Sequence, residues 1–505
     1  MRAIMKKNIN LHSVSFPNLS TLTLVLLLSA CAQTKAPPPA AIPLTAEFKE
    51  ASYWKSAQAT RVGTEAAVSE SWWEMFNDPV LNDLQQKLLL GNENLKSAAA
   101  QIANAKAVLK ASQSALWPTV SLNAGGTRSG NPGSGQNGRT TSNSYSLAAS
   151  TSWEIDLWGK LSKASDVANA SLQASRDDYD AARLSAHATL AQTYFAMRVA
   201  EAQQAILQRT TASNQRSLEL TEARYKAGVA GQSDVLQAKI QVTTGQVQLK
   251  DAIAQRAQLE HAIAVLLGVT PAALNISGTA TLPAALNISG TATLPAALNI
   301  SGTATLPAAP VVPVLIPATL LERRPDIAAA ERKLVAAYAQ IGVKDAAFFP
   351  DISLSANAGY RSSSLSKLID APNLVWSLGP SILLSIFDGG ARQLASDQAR
   401  AAADIAASAY RQTVLTSLQE VEDNLVVLEQ LDAELQLQTE ALQAAQRNLE
   451  ITQEQYKAGT VSYLNVVTSQ NAALSSESNL LSIRNRQLAA TNILLKNIGG
   501  RWQKE

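Results

Sequence analysis

Few side chains in this sequence are of kinds that do covalent or acid–base chemistry, and their spacing narrows what they can do. His187 and His261 both fall inside long helical runs rich in Ala, Gln and Leu, and His12 lies near the N-terminus. The single cysteine, Cys31, follows the apolar run Leu22 to Leu28, which Arg2, Lys6 and Lys7 precede. A lone thiol has no partner for a disulfide, a metal set or a catalytic dyad. What it offers is one nucleophile at the end of an export signal. Arg323-Arg324-Pro325-Asp326 groups three charges, but a Pro at a helix start with an acid in the first turn is a sufficient structural account. The sequence carries no phosphate loop, nucleophile elbow or metal-ligand spacing, so we read it as non-enzymatic and without a cofactor.

The export signal is too short in its apolar core to span a bilayer. Leu28-Ser29-Ala30-Cys31 resembles the bacterial lipobox, in which the cysteine is acylated and becomes the first mature residue. Ala32, rather than Asp, resembles lipoproteins sorted to the outer membrane. The formal net charge is +2, with three of the cations and no acid in the first 30 residues, which leaves a near-neutral remainder. With no basic run, nothing supports a nucleic-acid partner. Residues 32 to 45 are rich in Pro and Ala, a tether composition. Trp72-Trp73 reads as packing of an N-terminal segment onto the body, with ligand stacking as the alternative.

The elements that follow come in two copies. Arg224-Tyr225-Lys226-Ala227-Gly228 recurs 231 residues later as Gln455-Tyr456-Lys457-Ala458-Gly459. Gly159 answers to Gly390 at the same offset, and Pro118 to Pro350 and Leu95 to Ile327 at 232. Each half runs through a helix, a Pro-started strand, a loop, a strand, a Gly turn, a very long helix, the YKAG stretch and a return helix. Leu161 to Lys226 contains neither Pro nor Gly, and a helix of that length spans about 100 Å. Gly228 then stops it, with Ser233 a candidate N-cap for a helix from Asp234 to about Leu267. The second half repeats this over Arg392 to Lys457, Gly459, Ser462 near the cap, and a helix to about Asn497. Shorter helices are expected over Pro79 to Gly91 and Asn94 to Leu116.

Between helices the period changes to two. Val120, Leu122 and Ala124 alternate with Ser121, Asn123 and Gly125. After a loop over 128 to 143, Tyr145, Leu147, Ala149, Trp153 and Ile155 alternate with Ser146, Ser150, Ser152, Glu154 and Asp156. In the second half Ile352, Leu354, Ala356, Ala358 and Tyr360 share one face. Leu374, Trp376, Leu378, Ile382, Leu384 and Ile386 oppose Ser377, Ser381 and Ser385. One apolar and one polar face fits a transmembrane barrel strand, and equally any half-buried antiparallel strand. Four strands cannot close a barrel, and lipid does not tolerate an open edge. Two chains would give a filled eight-stranded barrel; three, which we favour, give twelve strands and a lumen.

The duplicated pattern resembles the outer-membrane efflux protein (TolC-like) family, in its lipoprotein branch serving tripartite drug pumps. The residues carrying the resemblance are the lipobox, Trp72-Trp73, Glu154-Ile155-Asp156-Leu157-Trp158-Gly159-Lys160 and both YKAG stretches. Leu320-Leu321-Glu322-Arg323-Arg324-Pro325-Asp326-Ile327 with Glu331, Phe348-Phe349-Pro350 and Phe387-Asp388-Gly389-Gly390 complete it. The resemblance implies a mainly α fold with a membrane β-barrel. Duplicated protomers would form long helical hairpins (an α-barrel) and close as a trimeric, 12-stranded barrel. It implies an outer-membrane exit duct for drugs or other small molecules, lipid-anchored at Cys31 and extending into the periplasm. Its partners would be a periplasmic adaptor, an inner-membrane pump and outer-membrane lipid. The alternative is a duct for type I protein secretion or metal-ion efflux; four Met and three His weigh against the metal path.

The resemblance also assigns residues. Tyr225, Lys226, Gly228, Tyr456, Lys457 and Gly459 would form the periplasmic tips that dock the adaptor. The family often narrows the periplasmic mouth with carboxylates just after the second YKAG; here those places hold Asn465 and Thr468. Leu464 is left as an apolar constriction, and Asp234 is the acid at the matching place in the first half, where a helix N-terminal role is the competing account. A second departure is Pro271 to Leu306, three identical copies of PAALNISGTATL, expected as a surface bulge at the tunnel's equator. The resulting plan is a signal peptide (1–30), a lipidated tether and packing segment (31–78) and a first repeat (79–270). The triplicated insertion (271–309), a second repeat (310–498) and a tail (499–505) follow.

Overall fold

A computed structural model describes residues 48–50, 71–131, 140–276, 306–310 and 323–498. Cys31, the tether and most of the triplicated segment lie outside these residues, as does the Leu320-Leu321-Glu322 part of the conspicuous motif. The chain divides into two compact units. One is built on Leu109–Ala168 and Val335–Asp404, the other on the described parts of Ala40–Val108, Asn169–Leu334 and Ile405–Glu505. Each unit therefore draws on both halves of the duplication.

The first unit carries the sheet. Its strands are β1 (Thr119–Asn131), β2 (Thr140–Glu154), β3 (Asp351–Ser362) and β4 (Leu374–Leu383), antiparallel in the order β1-β2-β3-β4. The first hairpin runs deeper into the Gly/Asn/Ser stretch than its composition predicts, because Thr127 to Asn131 pair with Thr140 to Ser144. β4 stops at Leu383, so Leu384 and Ile386 lie beyond the strand into which the alternation places them. Both outer strands leave one edge unpaired among the described residues.

Helices begin where capping chemistry allows. Helix α1 (Pro79–Gly91) starts on Asp78, whose carboxylate accepts the Val80 and Leu81 amides at 2.9 and 3.1 Å. α2 (Glu93–Ser114) starts on Asn92, whose Oδ1 accepts the Leu95 amide and whose amide nitrogen donates to the Leu266 carbonyl at 2.7 Å. The long rods are α3 (Lys160–Lys226) and α6 (Ala391–Lys457), each 67 residues. Their return helices are α4 (Gln232–Leu266) and α7 (Tyr463–Ile498), and α5 is Pro325–Ala346. None of the described helices is long and apolar enough to cross a membrane.

The second unit has its core where α1 meets the middle of α3. Leu81, Leu84 and Leu88, one helical face, pack with Leu190, Tyr194, Phe195, Ile263, Leu425 and Leu494; burying each Leu is worth about 1.5–3 kcal/mol. Trp72 and Trp73 belong to this core, and Trp73 stacks on the His187 ring at 4.2 Å. The Trp pair is therefore packing and not a ligand platform. His187 Nδ1 lies 2.6 Å from Gln85 Oε1; burial first, and then Arg183, lower its pKa to about 4, which keeps the ring neutral near pH 7.

Two charged networks knit the second unit. Tyr194 donates to Asp78 at 2.6 Å and accepts from Arg198, which pairs with Glu201 at 2.7 Å. Glu201 also accepts from Arg256, which bonds Glu260 and the Ile276 carbonyl; Glu260 in turn accepts the Ile276 amide at 2.7 Å. Ile276, in the first copy of the triplicated unit, is thus fastened to α4 and, through Arg256, to α3. The other network is missed by the sequence reading. Arg324 is buried and donates to Asp326 (2.6 and 3.0 Å), to Glu420 of α6 (2.8 Å) and to Asn497 of α7 (3.0 Å). The helix-start account of Pro325 and Asp326 holds, yet Arg324 does more than it requires.

Candidate functional site

Both YKAG stretches end their rods in the same way. Gly228 and Gly459 take φ of +75° and +79°, a region closed to most side chains. The Val229 amide reaches the Arg224 carbonyl at 2.9 Å and the Gly228 amide the Tyr225 carbonyl at 2.9 Å; Thr460–Gln455 and Gly459–Tyr456 repeat the pair at 3.0 Å. These are the paired bonds of a Schellman stop. Sequence identity thus produces identical local structure. The surroundings differ. Tyr225 is 46% exposed, whereas Tyr456 is 6% exposed beneath three groups. Arg224 lies over its ring at 4.8 Å, Thr221 Oγ1 meets its hydroxyl at 3.2 Å, and Tyr463 packs at 5.4 Å.

Arg224 also joins the two tips. Its guanidinium donates to the Tyr456 carbonyl at 2.6 Å, which also accepts the Gly459 amide, and to the Lys457 carbonyl at 3.2 Å, both in the last turn of α6. A cation there answers both the spare acceptor capacity of the last carbonyls and the negative end of the helix. The duplication breaks at this place, Arg224 against Gln455, which is the one sequence signal that could have found it. Tyr463, buried against Tyr456, has its pKa pushed up to about 12, by burial first and Tyr456 second. Lys226 and Lys457 are exposed, and Lys457 pairs with Glu454 at 2.7 Å.

The residues expected at the mouth sit on the return helices. The N-cap of α4 is Gly231 rather than Ser233: the Asp234 amide donates to the Gly231 carbonyl at 3.1 Å, and the Asp234 carboxylate takes back the Gly231 amide at 3.3 Å. The physical reason is reciprocity, since an acid at the third helical position completes a capping box from a residue with no side chain of its own. On α7, Leu464 (53% exposed), Asn465 and Thr468 share one exposed face of the first turns, while Tyr463, Val466 and Val467 turn inward. Thr468 Oγ1 donates to the Leu464 carbonyl at 2.9 Å.

In the sheet, register places the predicted sets on opposite faces. Leu122, Ala149, Ala358 and Trp376 line up across all four strands, as do Val120, Thr151, Ala356 and Leu378. The other face holds Ser121, Ser150, Asn357 and Ser377 in one such row, tied by bonds such as Ser121–Ser150 at 2.9 Å. Val120, Leu122, Trp376 and Ile382 are all exposed on the apolar face of this single chain.

Comparison with known proteins fits this arrangement. The outer membrane efflux protein family matches residues 84–269 and 316–500. The chain belongs to that family. Its member status makes it an outer-membrane component of an efflux pump, lying in the outer membrane and extending into the periplasm, and the family's proteins are channels and transporters. The toluene efflux pump outer membrane protein TtgF of Pseudomonas putida is 30% identical over 437 residues, covering 86% of this chain and 85% of its own length. The pyoverdine export outer membrane protein OpmQ of Pseudomonas aeruginosa is 28% identical over 502 residues, covering 97% and 98%. Among solved structures, the outer-membrane channel OprN superposes with a TM-score of 0.79 at 27% identity, covering 92% of this chain and 99% of that one. The family's fold, mainly helical with a four-stranded antiparallel sheet, is the fold of this chain.

Proposed function

We propose that three copies of the chain form the trans-periplasmic exit duct of a tripartite pump that expels drugs or other small molecules. The observation that carries this is the sheet: one face apolar and exposed, the other small and polar, with unpaired edges on β1 and β4. Such a sheet is intolerable in lipid until its edges are paired, and twelve strands leave a water-filled lumen. The polar face is Ser, Thr, Asn, Gly and Ala with Val375 and Leu383, and its charges, Glu154, Asp351 and Arg361, lie near the strand ends. A surface of that kind passes cargo without binding it tightly. The named cargoes of relatives, toluene for one and pyoverdine for another, agree with breadth.

On this reading the tips Tyr225, Lys226, Gly228, Tyr456, Lys457 and Gly459 dock a periplasmic adaptor, which in turn joins an inner-membrane pump. Leu464, Asn465 and Thr468 line the mouth with Asp234 nearby, a constriction without an acid on α7, and Asp234 accepts the Gly231 amide. Acylation of Cys31 adds a second anchor beside the barrel. Two repeats, 79–270 and 310–498, would flank the triplicated insertion at 271–309, in keeping with the two separate stretches that match the family. The test is reconstitution of the purified protein in planar bilayers: discrete single-channel conductance is expected, and its absence from a correctly folded trimer would remove the duct reading.

A further inference from the structure

The internal duplication fixes how neighbouring copies join. The first hairpin starts its pairing at Thr119–Ser152 and the second at Asp351–Leu383. β1 therefore maps onto β3 with an offset of 232, and β2 onto β4 with an offset of 231. The junction between the two halves, β2 with β3, is visible within one chain and pairs Glu154 with Ser353 and Ser152 with Ser355. A ring of three copies needs the same junction once more per copy, between β4 and the β1 of the next chain.

We infer that β4 pairs with β1 of the next copy in the register that the β2–β3 junction dictates, with Ser385 opposite Ser121. This rests on the trimeric duct reading. Shifted by the two offsets, Glu154–Ser353 becomes Ser385–Ser121, and Ser152–Ser355 becomes Leu383–Asn123. The Ile155 amide, which donates to the Ile352 carbonyl at 2.8 Å, becomes the Ile386 amide donating to Val120.

Two observations independent of the offsets agree. First, side chains alternate between faces, so only every second register keeps like faces together. The derived register does so: Leu384 meets Leu122 and Ile386 meets Val120 on the apolar face, while serines meet on the other. Second, β2 runs to Glu154 but β4 stops at Leu383, two residues short of the position that answers to Glu154. Leu384 to Ile386 have the alternation of a strand without its partner, and the edge of β1 supplies one. Ile386 is 93% exposed and Trp117, just ahead of β1, 73%.

The test is cysteine cross-linking in the full-length protein. Because Ile155 and Ile352 form a hydrogen-bonded pair, Glu154–Ser353 is a non-hydrogen-bonded one, and so is its counterpart Ser385–Ser121; such pairs approach most closely. The double variant S121C/S385C, oxidised in isolated outer membranes, should shift from monomer to covalent trimer on a non-reducing denaturing gel. L383C/N123C, in the same register, should do likewise and serves if the first pair does not assemble. T119C/S385C and N123C/S385C impose a slip of two residues, about 6.6 Å, which a disulfide does not bridge; these and each single cysteine should stay monomeric. Gel filtration of the wild type reads the assembly separately. Trimers in which a slipped pair links, or in which no pair links, overturn the register. A wild type that is monomeric overturns the trimer and the register with it.

Discussion

Arg224 is the contact on which the pairing of the two tips most depends, so Arg224→Ala probes it directly. The substitution removes one strong charge-assisted bond, to the Tyr456 carbonyl at 2.6 Å, and a weaker one to Lys457 at 3.2 Å. It also removes the guanidinium from over the Tyr456 ring. A bond to a charged donor contributes about 1.5–3 kcal/mol and an exposed cation–π contact about 0.5–1 kcal/mol. Arg224 is only half-buried, so water recovers part of this, and a net loss of about 2 kcal/mol is the reasonable figure. That is about a 30-fold rise in the population of tips that have parted. The assay is hydrogen exchange of amides in 224–232 and 455–463, where protection should fall about 30-fold while the distant Leu81–Tyr194 core keeps its own. Arg224→Gln, which gives the first tip the residue of the second, should behave like Ala because it cannot span to both carbonyls. Unchanged protection in Arg224→Ala would refute the claim that this side chain holds the tips together.

Arg324→Ala should cost about 2–3 kcal/mol, read as earlier thermal loss of the folded chain. The figure is discounted because the Asp326 and Glu420 side chains are 38% and 37% exposed and can rehydrate. Burial alone would raise the Asp326 pKa, but Arg324 outweighs it and holds the carboxyl below its usual range. That stability is present above the ordinary Asp pKa and lost as pH falls through the depressed one, and Arg324→Ala should flatten this acid-side loss. Gly228→Val and Gly459→Val each impose strain of about 1–3 kcal/mol and should leave heat-resistant trimer intact while adaptor cross-linking and drug resistance fall. Gly459→Val should be the worse, since its Cβ already touches Arg224 Nη2 at 3.4 Å and its γ-carbons crowd the guanidinium that joins the tips, whereas Gly228 faces open space. Deleting Pro271 to Leu294 leaves one unit, with Ile300 in the place of Ile276 against Arg256 and Glu260. Shortening such a segment changes closure entropy by only about 1 kcal/mol, so trimer and export should persist; lost export at normal protein level would show that the extra copies touch a partner. Cys31→Ser should abolish incorporation of radiolabelled palmitate, and label in that variant would remove the lipoprotein reading.

The elements were legible in the sequence because they rest on local rules. Helix limits at α1, α3 and α6 fall within a residue or so of the expected Pro79 start, the Gly159 turn and the YKAG glycines, since capping and positive φ act over a few residues. Strand faces were legible for the same reason: a period of two needs no knowledge of the partner. What the sequence could not determine is whatever depends on residues distant along the chain. Identical YKAG stretches give one exposed and one buried tyrosine because only the second lies beneath Arg224, 232 residues away. Arg324 reads as a neighbour of a helix start until α6 and α7 bring Glu420 and Asn497 to it. Trp73 finds His187 only once α1 and α3 have packed. Local chemistry writes the parts list; the long-range burial of charge and aromatic surface, whose cost falls on the whole fold at once, decides which copies of a repeated part stay alike and which diverge.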